Sequence, residues 1–207
     1  YTLNFVIDGS GSMGEMTNIR SSWTKTLFAI YWALQSASYD CEDYAFKINL
    51  ILFAKTSVVV YRDEPLTQQL INTVSSKSGR VNQMREEIGR TTNYVSALEK
   101  VKECDIHGPV LFYSDGLPSD KELIEKYIND EELKKQSIDI IPILLKSNDA
   151  KPNKWMKQLG MRGVSNTPID VLAIQKKNII GLFGDIIAKQ LIPEDVRRVS
   201  YKLLVSL

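Results

Sequence analysis

Three observations predict an α/β fold in which a doubly wound, mostly parallel sheet carries helices on both faces. Short apolar or β-branched runs alternate with amphipathic helical stretches along the chain. Two runs end in an Asp-Gly, at Ile7-Asp8-Gly9 and at Tyr113-Ser114-Asp115-Gly116, where a parallel strand would hand its last residues to a loop. A third pair of runs is joined by a gap too short for a parallel crossover, so one edge strand is antiparallel. The expected sheet is six-stranded and Rossmann-like.

Residues 3–7 form the first strand, an apolar run ended by Asp8. Trp23, Leu27, Ile30, Tyr31 and Leu34 then recur at helical spacing and predict an amphipathic helix over residues 18–38. Residues 46–53 and 57–61 are separated only by Ala54-Lys55-Thr56 and read as a hairpin. Residues 67–88 read as helix, broken midway by Ser75, Ser76, Ser78 and Gly79. A helix over 94–103, a strand over 109–113 and a helix over 119–135 follow. A strand at 138–144, a short helix near Trp155, a strand at 169–174 and a helix over 178–191 complete the alternation. The expected domain spans residues 1–192. Residues 193–207 are an extension in which Val196, Val199 and Leu203 fit a helix.

Composition narrows the function. The 207 residues, 43% hydrophobic and 25% charged, suffice for one domain with a proper core. With 26 basic against 25 acidic residues the net charge is +1, so no global field draws the chain to nucleic acid or to an anionic membrane. No run of about 18 apolar residues is present for membrane insertion. Cys41 and Cys104 lack ligand spacing and read as free thiols, which, without a signal peptide, tilts the expected compartment towards the cytoplasm. The chain opens on a strand at Tyr1, which reads as an excised or processed piece, monomeric or part of a larger protein or complex.

In an open parallel sheet, ligands bind at the C-terminal strand ends, where the strand order reverses. Three polar loops fall at such ends. The first alternates Asp8, Ser10 and Ser12 with Gly9 and Gly11, so that a tight extended loop would point every second side chain the same way. The second, Arg90-Thr91-Thr92-Asn93, offers a hydroxyl before a helix, and the third offers Asp115. Two carboxylates and three hydroxyls, completed by water, suit a hard divalent cation in near-octahedral oxygen coordination.

The run Asp8-Gly9-Ser10-Gly11-Ser12-Met13 resembles the DxSxS signature of von Willebrand factor type A (VWA) and integrin I domains, which build a metal-ion-dependent adhesion site from it. Thr92, in Thr92-Asn93-Tyr94-Val95-Ser96-Ala97-Leu98, and Asp115 are similar to the family's other two ligand positions, in the family's order. The resemblance spans nearly the whole chain. It implies a VWA fold with Asp8, Ser10, Ser12, Thr92 and Asp115 as metal ligands, direct or through water. It also implies Mg²⁺ as the cation, with Mn²⁺ and Ca²⁺ as alternatives, and a protein partner whose Asp or Glu completes the coordination. Arg90-Thr91 stands where many relatives have two glycines. The ligand choice therefore lies between Thr91 and Thr92, with Thr92 favoured by the register of Asn93 and Ala97-Leu98. Met13 and Tyr94 adjoin the expected ion and are candidates for the partner-binding rim.

Taken singly, each Asp-Gly is more often a turn than a ligand. Ser119, three residues before Glu122, reads as a helix capping box, and His107 beside Gly108-Pro109 as a surface turn residue. An enzyme is not expected. A Mg-dependent phosphatase of the haloacid dehalogenase type would need a second acid at Ser10, and His107 has no partner for Ser/His/Asp chemistry. The remaining alternative is an interaction subunit of a chaperone-like or chelatase-like ATPase complex, in which the cation only braces the loops and the partner binds elsewhere.

Overall fold

The computed structural model describes residues 2–13, 46–74, 79–108, 110–114, 118–129, 140–144 and 169–170. The expected helices at 18–38, near Trp155 and at 178–191, the extension at 193–207 and the end of the strand expected at 169–174 lie outside them.

Strand β1 (Thr2–Asp8) is flanked in parallel by β2 (Lys47–Phe53) on one side and β4 (Val110–Ser114) on the other. Strand β3 (Ser57–Pro65) turns back antiparallel on β2 and forms an edge of the sheet, as the short gap before it requires. Beyond β4, β5 (Ile140–Leu144) and the short β6 (Ile169–Asp170) pair in parallel, giving the order β3-β2-β1-β4-β5-β6. The direction of winding reverses between β1 and β4. The C-terminal ends of those two strands, Asp8 and Ser114, therefore flank the topological switch point.

The period of two along each strand sorts the apolar side chains onto two faces. Leu3, Phe5 and Ile7 of β1 and Ile48, Leu50 and Leu52 of β2 enter one cluster. It is covered by helices α1 (Gln68–Val74) and α2 (Arg80–Glu87) through Leu70, Ile71, Val74 and Val81. Val6, Ile51, Phe53 and Phe112 enter the other, beneath α3 (Tyr94–Glu103) and α4 (Lys121–Asn129), through Tyr94, Ala97, Leu98, Val101 and Ile124. Helices thus cover both faces of the mixed sheet.

The expected break in residues 67–88 is present: α1 ends at Val74 and α2 begins at Arg80 with Gly79 as its N-cap. The helix expected at 94–103 has those bounds, with Asn93 Oδ1 accepting from Ser96 N at 2.9 Å as its cap. β3 runs to Pro65, four residues past its expected end at Tyr61, because the ladder with β2 resumes after a bulge near Asn49. There Asp63, at φ 49°, turns its N–H onto Asn49 Oδ1 at 2.8 Å. Asn49 Nδ2 in turn donates to Asn4 Oδ1 at 2.9 Å, and Asn4 Nδ2 to His107 O at 2.9 Å. This buried amide pair ties β1, β2, β3 and the turn after α3 together. The His107 side chain itself is exposed, beside Asp105, as expected. Among the described residues no helix is long and apolar enough to cross a membrane.

Asn49→Leu keeps the side-chain volume but strips partners from Asn4 and Asp63. Urea denaturation should show a loss of about 1–3 kcal/mol, the cost of leaving buried polar groups unpaired; an unchanged midpoint would show that the amide pair contributes nothing net.

Candidate metal centre

The centre begins with Asp8, the last residue of β1, whose carboxylate is 0% exposed. Its Oδ1 accepts from Ser10 N at 2.9 Å, and its Oδ2 accepts from Ser114 Oγ at 2.6 Å. Ser114 Oγ also accepts from Tyr94 Oη, at 2.6 Å. The three groups are buried, and the relay Tyr94–Ser114–Asp8 fixes the carboxylate from below.

Tyr94 is accordingly 0% exposed, and the rim position expected for it is corrected. Its ring packs edge-on to Phe53 at 5.8 Å and to Phe112 at 5.1 Å, while Phe53 and Phe112 lie 5.1 Å apart. As the first residue of α3, Tyr94 sits on the face turned to the sheet, and burying its ring while satisfying its hydroxyl outweighs exposing it. Met13, the other rim candidate, is half-buried and packs against the cluster beneath α1 and α2.

The loop after Asp8 is not extended throughout. It closes into a 3-10 turn at Gly11–Met13, with Met13 N donating to Ser10 O at 3.2 Å. Ser10 is 1% exposed. The Ser12 side chain and the whole of Asp115 lie outside the described residues, so the structure brings together Asp8, Ser10 and the Thr92 loop from the expected set. Gly9 is favoured by close approach: a Cβ there would stand 3.0 Å from Ile88 Cδ1 and 3.2 Å from Leu52 Cδ1, so those side chains would have to give. Gly9 N donates to Phe53 O at 2.7 Å and Gly11 N to Arg90 O at 3.1 Å, which ties this loop to the end of β2 and to the Thr92 loop.

Thr92 is 6% exposed while Thr91 points to solvent, so the inward threonine is the one favoured by register. Its loop is held from three sides. Asn93 N donates to Ala54 O at 2.8 Å, and Ser119 donates to Thr92 O through both N (2.7 Å) and Oγ (2.6 Å). Asp120 accepts from Tyr94 N at 3.2 Å and Val95 N at 2.9 Å, which caps α3 and sets a carboxylate against its positive end. The capping box expected at Ser119 and Glu122 is thereby corrected: α4 starts at Lys121, and the Ser119 hydroxyl serves the Thr92 loop instead.

Arg85, on α2, was not visible as a site residue. Its Nε donates to Gly9 O at 2.9 Å and its Nη2 to Ser10 O at 3.0 Å, clamping the backbone that carries Asp8 and Ser10. Burial pulls its pKa below the ordinary arginine range, while the nearby Asp8 carboxylate pulls it back up. In the sequence Arg85 is one charge among several on a half-apolar helix, and nothing marks it out. Ser114 adjoins a candidate ligand, and that adjacency was the available signal.

Among the described residues no three His, Cys, Asp or Glu side chains converge. The donor set fits a hard ion: a buried, aligned carboxylate together with buried Ser10 and Thr92.

Neither a known sequence family nor a curated protein sequence matches the chain. Solved structures do. Proximal thread matrix protein 1 from the mussel byssus, with its MIDAS motif occupied by zinc, aligns with a TM-score of 0.53 and 14% identity over 88% of this chain and 45% of that one. An aerotolerance-related membrane protein from Bacteroides fragilis aligns at 0.49 and 13% identity, covering 84% of this chain and 94% of that one. Manganese-loaded TRAP protein of Plasmodium vivax aligns at 0.47 and 20% identity, covering 74% and 61%. At such identities the likeness is one of fold, and this chain spans less than half of the mussel protein.

Ser114→Ala removes the partner of both Asp8 Oδ2 and Tyr94 Oη, and should cost about 1–3 kcal/mol in urea denaturation. Tyr94→Phe keeps the aromatic packing and should cost less, about 1 kcal/mol. The reverse ranking would show that the relay does not hold the carboxylate.

Proposed function

We propose that this chain, whose fold is that of von Willebrand factor A-type domains, is a divalent-metal-dependent protein-binding module that takes a partner's Asp or Glu at the cation. On this reading Asp8, Ser10, Ser12, Thr92 and Asp115 hold the ion, residues 1–192 make up one doubly wound, six-stranded domain, and residues 193–207 extend it. The module performs no catalysis of its own.

The observation that carries the reading is that Asp8 and Ser10, both buried, stand at the switch point of the sheet on a loop bonded to the one that carries the buried Thr92. The zinc-occupied MIDAS motif of a protein with the same fold supports a divalent cation in such a place. A bound cation would supply a Lewis-acidic position open to an outside carboxylate. This chain's residues would do the rest. Because both Asp8 oxygens already accept hydrogen bonds, at 2.9 and 2.6 Å, Asp8 suits a role across ligating water. Ser10 and Thr92 bring oxygens without charge, and the Arg85 guanidinium offsets part of the Asp8 charge from behind. The donor set therefore under-neutralises a divalent ion, which favours an anionic last ligand. Mg²⁺ is the expected cellular ion, with Mn²⁺ and Ca²⁺ as alternatives.

Calorimetric titration with Mg²⁺ and Mn²⁺ should show one saturable site that is lost in the Asp8→Ala/Ser10→Ala variant. At a hundredfold excess over Kd the ion should raise stability by about 2.7 kcal/mol. No uptake by the intact chain would overturn the reading. Thr92→Ala should abolish metal-dependent partner binding; a variant that still bound its partner would favour the alternative in which the ion only braces the loops.

A further inference from the structure

Beside the Asp8 loop lies a cleft of roughly 680 Å³ lined by Gly9, Gly11 and Gly89 together with Asn82, Arg85, Glu86 and Arg90. Two of the three glycines are tightly hemmed in. Gly89 sits at φ +84°, and a Cβ on it would come within 2.8 Å of Lys55 Cβ, while Gly9 is hemmed by Ile88 and Leu52.

Arg85 is held rigidly at one end by its two bonds to the loop carbonyls. Those bonds use two of the five N–H groups of a guanidinium. Arg90 is exposed, and its Cβ stands 3.9 Å from where a Cβ on Gly11 would lie, so it borders the loop directly. Among the described residues no ion pair engages Arg90 or Glu86. The cleft therefore presents two guanidinium groups against a single carboxylate, immediately next to the candidate metal centre.

We propose that this cleft is a second anion subsite of the partner-binding surface. It would receive another acidic side chain of the same partner segment, on Arg90, with Arg85 behind it. This inference rests on the metal-dependent reading above and deepens it: the partner would present two carboxylates close together in its chain, one for the cation and one for the cleft. The planar fork of arginine matches a carboxylate in two parallel hydrogen bonds, and the glycines lining the cleft let the partner's backbone approach. Glu86 also lines the cleft, and because like charges repel, an incoming carboxylate is favoured only where a guanidinium stands closer to it than Glu86 does.

The test uses the whole chain and blocked peptides carrying one Asp in a Gly/Ser background, or two Asp residues separated by zero to four positions. Binding is measured by calorimetry in saturating Mg²⁺ and again in EDTA. At the best spacing the two-acid peptide should bind roughly tenfold tighter than the one-acid peptide, the worth of one charge-assisted contact. Arg90→Ala should erase that gain while leaving Mg²⁺ uptake, thermal stability and one-acid binding unchanged, and Arg90→Lys should restore only part of it. A gain that survives Arg90→Ala, or no gain at any spacing, overturns the inference even if Mg²⁺ and one-acid binding stand. Arg90-dependent binding that persists in EDTA supports the cleft while the metal-dependent reading fails, so the two failures are distinguishable.

Discussion

A buried carboxylate at the end of a central strand sets the terms for everything around it. Asp8 is shut away from solvent, and a charge in that position is tolerable only if fixed donors replace its water. The donors are the backbone N–H of Ser10 and the hydroxyl of Ser114. Each demands a feature of the fold. The first needs the loop to pass close to Ile88 and Leu52 at Gly9, where a Cβ would be tightly crowded. The second needs β4 to lie parallel beside β1 in the register that pairs Ile7 with Tyr113, so that Ser114 follows alongside Asp8. The sheet order and the loop conformation are thus two consequences of one desolvated charge.

From that point the loops hold one another. The Asp8 loop bonds to the ends of β2 and of the Thr92 loop, the Thr92 loop bonds to Ala54, and Ser119 and Asp120 close over it from the start of α4. Arg85 reaches in from the opposite face of the sheet to take the carbonyls of Gly9 and Ser10. Nearly every bond in this set joins segments far apart in sequence, so these bonds depend on the tertiary fold rather than on any one segment. The same bonds that satisfy buried backbone groups hold Ser10 and Thr92 in place, and pre-positioned donors are what a cation site requires.

This division explains what the sequence discloses. The end of β1 at Asp8, the hairpin and the helix at 94–103 follow from local periodicity and turn chemistry, which one segment carries by itself. Asp8, Ser10 and Thr92 stand out because a known motif spaces them. Arg85 and Asp120 do not, because their roles depend on which backbone groups a distant loop leaves unpaired. Ser119 shows the hazard directly: its spacing to Glu122 has the form of a capping box, yet Thr92 O lies within 2.6 Å of its hydroxyl and claims it. Tyr94 shows another. Adjacency in sequence to a candidate ligand suggested a surface role, whereas its place at the first turn of α3 turns it inward onto Phe53 and Phe112.

The charges around the site follow a consistent logic. Among the described residues, neutral donors hold the Asp8 carboxylate, and the Arg85 guanidinium lies close enough to feel its charge. A donor set of this kind would fit many partners equally, since a cation with an open position accepts any carboxylate. Discrimination would have to come from the surface around it. There Arg90 puts a long cationic side chain beside Gly9, Gly11 and Gly89 in the cleft next to the Asp8 loop. A long side chain on the rim costs the core nothing, because it displaces no buried group, and its backbone carbonyl still receives Gly11 N. The position is therefore free to vary without disturbing the relay beneath it, which is the condition under which one scaffold acquires different partners.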